Sequence, residues 1–124
     1  MERTFTLIGA VVMFLAVGAG AFGAHALQGY FKEHPQLKDT FDTAVHYQMI
    51  HGLALFAAAW AHTHWQVSNL TEWAGWFFLA GVLLFSGSLY ILSLADIRWM
   101  GAIAPIGGVS FLAGWAALFL AAWK

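Results

Sequence analysis

The stretch FDTAVHYQMIHGLALFAAAWAH, residues 41–62, decides the fold. A helix needs about 20 predominantly apolar residues to cross a bilayer, and this stretch has that length. Its second half, LALFAAAWA, is purely apolar, but its first half carries Asp42, His46, Gln48 and His51. The rest of the chain favours reading it as a crossing. Of 124 residues, 61% are hydrophobic and only 9% charged, against roughly 25% charged in soluble domains. So few charges cannot cover a water-facing surface. The apolar residues also gather in blocks long enough to span lipid.

On its N-terminal side lies the most polar segment, QGYFKEHPQLKDT (28–40), in which Pro35 forbids one continuous helix and pushes His34 towards an extended conformation. Asp39 or Thr40 is the expected N-cap. Before it, Phe5 to Leu27 form an uncharged block. Arg3 and the A-x-A triplet Ala24-His25-Ala26 give it a signal-peptide look, but it exceeds the usual length of such a core and reads as a retained span. On the C-terminal side, residues 62–70 read as a polar turn, with Thr71 as N-cap and Glu72 in the first turn of the next helix. An uncharged helix follows over 73–95. After Asp96 and Arg98, a last helix covers 99–123, with Pro105 and Gly107-Gly108 predicting a kink or break near its start.

The expected architecture is therefore all-α: one domain, residues 1–124, forming an up-down bundle of four transmembrane helices at about 5–27, 41–62, 73–95 and 99–123, with the fourth kinked near Pro105. Both termini then share a side. Arg3 and Lys124 lie there, and Lys32, Lys38 and Arg98 lie opposite, a slight lean towards cytoplasmic loops one and three. Seven tryptophans suit several interfacial helix ends. Ala16, Gly20 and Ala24, with Ala19 and Gly23 beside them and Ala54 and Ala58 on the second helix, have the spacing over which helices approach closely in lipid. They read as packing within the bundle. Phe22-Gly23-Ala24 and Ser86-Gly87-Ser88 are faintly similar, as an old two-helix repeat would be.

A near-neutral chain without a basic tract is not a nucleic-acid binder. The absence of cysteine excludes disulfides, thiolate metal sites and cysteine catalysis. No nucleophile elbow, phosphate loop or H-E-x-x-H occurs, so no catalytic residue is assigned and no cofactor is expected. The informative feature is polar. Antiparallel first and second helices would set His25 level with Asp42 and His46, which share a face. Tyr47 and His51 form a second such pair, and Asp96, Arg98 and Tyr90, with Ser86 and Ser88, approach from the other hairpin. Ionisable groups inside spans usually face the interior. Three roles fit: hydrogen bonds pinning the bundle, a proton or ion path, or a metal site of His25, Asp42 and His46, with or without His51. His46 and His51 are badly spaced for one ion on a straight helix. His62 and His64 form an H-x-H pair in the opposite turn and read as solvated.

The segments GAFGAHAL (20–27), FDTAVHYQMIHGLAL (41–55), LFSGSLYILSL (84–94) and APIGGVSFLAGW (104–115) together resemble a family of small bacterial inner-membrane proteins of unknown function, whose eukaryotic relatives include transmembrane protein 256. The resemblance covers nearly the whole chain. It implies a multi-pass four-helix protein of the bacterial inner (plasma) membrane and carries no established activity or functional residue. The expected partners are the lipid bilayer and either further copies of the chain or a larger membrane complex. The expected role is structural, accessory or self-associating, with a proton, metal-ion or small-solute carrier or channel, or a metal-binding protein, as the alternatives.

Overall fold

The structure, a computed structural model, describes residues 1–65 and 68–124. Every element in them is helical. Helix α1 is Glu2–His25, α2 the short Gln28–Glu33, and α3 Pro35–His64. Helix α4 is Leu70–Ala95, and it contains one turn of π-helix at Val82–Ser86. A 3-10 turn, Arg98–Ala102, precedes the last helix, α5, Ala104–Trp123.

Several boundaries differ from the sequence expectation, each for a local reason. Helix α3 starts at Pro35 rather than near residue 41, because proline has no N–H to lose at a first turn and its fixed φ already suits a helix. His34, at φ −132° and ψ 64°, makes the break between α2 and α3, so neither Asp39 nor Thr40 caps it. Pro35 thus starts a thirty-residue helix, about 45 Å long. Asn69 rather than Thr71 stands at the N-cap of α4, and the Thr71 hydroxyl instead meets His62 Nδ1 at 3.1 Å. The polar turn expected over 62–70 includes residues 66 and 67, which lie outside the described residues. Pro105 does not kink the interior of a helix: it sits in the first turn of α5, and the residues before it are wound as 3-10 helix. Asp96 ends α4 in the left-handed conformation (φ 54°), a C-terminal role that short polar side chains tolerate.

The helices form two antiparallel pairs, α1 with α3 and α4 with α5, joined along one side of α3. The first pair is in register from end to end: Gly9 lies against Gly52, Gly20 against Val45 and Gly23 against Phe41. In lipid, apolar surface gains little by leaving its surroundings, so helices hold together by close packing and hydrogen bonds. Here the packing sets aromatic rings against glycine. A Cβ added at Gly75 would stand 2.3 Å from the Phe5 ring, at Gly81 2.2 Å from Phe111, and at Gly114 2.6 Å from Phe78. The buried stripe of α1 is Phe5, Gly9, Val12, Ala16 and Gly23. Of the small residues expected to pack, Ala16 and Gly23 belong to it, Gly20 is half-buried and Ala24 is exposed, because the stripe follows alternating steps of three and four rather than fours alone.

Large apolar side chains cover the outside: Phe14 is 78% exposed, Leu112 70% and Val109 65%. Such a surface suits lipid rather than water. Three helices of the described residues, α1, α4 and 98–123, are long and apolar enough to cross a membrane, at mean hydropathies of 2.2, 2.1 and 1.8. Helix α3 is not among them, since its polar residues lower its hydropathy.

Candidate functional site

A group of buried polar residues, Gln48, His51 and Ser86, lies at mid-depth of the bundle. Val12 is near the centre of α1, and Gln48 Nε2 on α3 donates to its carbonyl at 2.9 Å. From α4, the Tyr90 hydroxyl donates to Gln48 Oε1. One amide thereby ties three helices together. Ser86, in the π-helical turn, donates to the Ala44 carbonyl of α3 at 2.8 Å, and Ser110 of α5 donates to the Phe77 carbonyl of α4 at 2.7 Å. The extra residue of a π turn rotates the later residues of the helix relative to the earlier ones. Here it coincides with Ser86 turned towards α3 and the Phe85 backbone pressed onto Gly107.

His51 is the second knot. Its ring stacks on Phe111 with centroids 3.5 Å apart and planes 9° from parallel. Trp115 Nε1 donates to His51 Nε2 at 3.1 Å. An indole nitrogen can only donate, so Nε2 is the acceptor. The ring proton therefore sits on Nδ1, which donates to the Tyr47 carbonyl at 2.8 Å. Both nitrogens of a neutral imidazole are used. Among the described residues, no buried side-chain nitrogen or oxygen lacks a partner.

The residues singled out from sequence divide between two places. His51 and Tyr90 are in this network. Tyr47 packs beside it on Phe85, at 4.6 Å between centroids, with 39% of its surface exposed. The others are outside. His25 ends α1 and is exposed. Asp42 is exposed and accepts from Lys38 Nζ at 2.6 Å. His46 is exposed on the outer side of α3. Asp96 and Arg98 pair with each other at 3.3 Å. His25, Asp42 and His46 are not brought together, and no group of three or more His, Cys, Asp or Glu among the described residues is placed to hold a metal ion.

Sequence reasoning noted Gln48 as out of place but gave it no partner, and it missed Trp115 and Phe111. Gln48 and His51 are three apart and both buried, so a shared inward face was a signal within reach. Trp115 is 64 residues from His51 and lies in an apolar run that gives no sign of it.

A family described as protein of unknown function (DUF423) matches residues 19–108. UPF0382 membrane proteins of Staphylococcus aureus and Staphylococcus haemolyticus are 44% and 43% identical over 126 residues, each covering 98% of this chain and 97% of the relative. The UPF0382 membrane protein YwdK of Bacillus subtilis is 43% identical over 122 residues, 98% of both chains. No solved structure matches. This all-helical, multi-pass bacterial membrane protein therefore belongs to the DUF423 family, whose relatives are named UPF0382 membrane proteins and for which no specific activity is indicated.

Proposed function

We propose that the chain crosses the bilayer four times, with α3 as the second crossing, and serves as an accessory membrane protein acting through contacts in the plane of the membrane. The observation that carries this reading is the completeness of the mid-depth network. Gln48 and Tyr90 satisfy each other and the Val12 carbonyl, and His51 spends both nitrogens on Tyr47 and Trp115. A transport path needs polar atoms left over for its cargo, and a proton relay needs a ring nitrogen able to release and regain a proton. The network instead suits fixed interhelical ties, each contributing about 0.6 and at most ~1.7 kcal/mol. Helix α3 runs beside α1 from Phe41 at Gly23 to Phe56 at Gly9, which supports α3 as a crossing beside α1. Its polar residues are tolerable there because Gln48 and His51 are covered by neighbouring helices.

The test is reconstitution in liposomes of the wild type and of His51→Gln. The expected result is proton flux no greater than in empty vesicles for both proteins, with a lower melting temperature for the variant. Wild-type flux that His51→Gln abolishes would assign the chain to the carriers and channels.

A further inference from the structure

The outer line of α3 does not suit lipid. Asp39, Asp42, His46, Ile50, Leu53 and Trp60 follow one another along it, and all are exposed. Its second half is apolar, but its first half is ionisable. Gln48 is level with Val12 near the middle of α1. At ~1.5 Å per residue, His46 then lies about 3 Å and Asp42 about 9 Å from that level, both within a hydrocarbon half-thickness of ~15 Å. Ionisable groups at such depths almost always face protein or water. Here α1, α4 and α5 cover the other sides of α3 and leave this one open. A shallow cleft of about 410 Å³ lies along it, lined by Asp39, Asp42, Thr43, His46 and Tyr47.

We infer that a second copy of this chain covers this face, related by a two-fold axis along the membrane normal. The inference rests on the four-crossing, contact-making role proposed above and names its partner. The chemistry of the face is self-complementary. Copies inserted in the same orientation set α3 parallel to α3, and a two-fold places identical patches opposite each other. Under this axis each residue lies level with its own counterpart, and His46, one turn from Asp42 on the same side of α3, reaches across the seam to the opposite copy's carboxylate one turn away, giving two equal hydrogen bonds to charged acceptors. Lys38 Nζ occupies only Asp42 Oδ2, and Oδ1 carries no hydrogen bond among the described residues. Ile50 and Leu53 meet their counterparts one and two turns deeper.

The chain has no cysteine, so single thiols report the contact in native membranes. Ile50→Cys, on this face, is expected to form a disulfide dimer on oxidation. Leu112→Cys, 70% exposed on α5, is expected to stay monomeric. Within Ile50→Cys, His46→Ala is expected to lower the dimer fraction about tenfold, equivalent to ~1.4 kcal/mol. The exchange Asp42→His with His46→Asp is expected to restore it. Both residues are exposed, so an unchanged melting temperature in detergent verifies that each variant folds. Three results would overturn the inference: no disulfide at Ile50→Cys, equal crosslinking at Leu112→Cys, or no recovery in the exchanged variant. Capture of Ile50→Cys by a heavier membrane protein would also overturn the second copy, while leaving the accessory role standing. Proton flux in liposomes removes that role independently.

Discussion

Replacing Gly107 with alanine is expected to destabilise the bundle more than any other single methyl group added to it. The new Cβ would lie 2.3 Å from the backbone nitrogen of Phe85 and 2.7 Å from its Cβ. A flexible side chain could swing away, but a helix backbone cannot, so α4 and α5 must separate around the π-helical turn. Overpacking costs typically ~1–3 kcal/mol, and a clash with backbone belongs at or above the top of that range. The neighbouring Gly108 is the control. Its added Cβ meets only Phe85 Cδ2, at 4.0 Å, and alanine is about 1 kcal/mol better than glycine inside a helix. Gly108→Ala should therefore leave the melting temperature unchanged or raise it, while Gly107→Ala lowers it sharply. Thermal unfolding in detergent, followed by circular dichroism, compares the two directly.

The second large effect is expected at Gln48. Gln48→Leu removes two interhelical hydrogen bonds and leaves the hydroxyl of the half-buried Tyr90 without its acceptor. A stranded buried polar group costs about 1–3 kcal/mol. Tyr90→Phe alone leaves Gln48 Oε1 without its donor but keeps the bond to Val12, so its cost should be smaller. The double variant Gln48→Leu with Tyr90→Phe should be more stable than Gln48→Leu alone, because removing both partners leaves nothing unpaired. Additive losses in this cycle would mean that the two side chains do not depend on each other.

The helical class, the apolar blocks and the break before Pro35 were legible because they depend on composition and on proline stereochemistry, which are local. The boundaries were less so. Nothing in residues 35–40 says that the helix begins at Pro35 rather than at Asp39, since both are good starts and the choice is made by α2 folding back with Phe31 against Phe41, 5.3 Å between ring centroids. The π turn at Val82–Ser86 has no periodic signature, because it accompanies the fit of Phe85 over Gly107. The polar residues of α3 were recognised as unusual, but their partners were not. Spacing pairs Asp42 with His46 and Tyr47 with His51, without deciding which of them faces inward on a helix that turns about 100° per residue. Gln48 and His51 face inward, while Asp42 and His46 face out. Partners such as Trp115 come from the other hairpin, and a pairing between hairpins is visible only once both have folded.

The measurement bearing most directly on the fourfold crossing is the sidedness of single cysteines introduced into this cysteine-free chain. Lys32→Cys and Arg98→Cys, probed with a membrane-impermeant maleimide on intact and opened cells, are expected to label from one side of the membrane. Asn69→Cys and Lys124→Cys are expected to label from the other. Labelling of Lys32→Cys and Asn69→Cys from the same side would mean that α3 does not cross, and would contradict the four-crossing bundle.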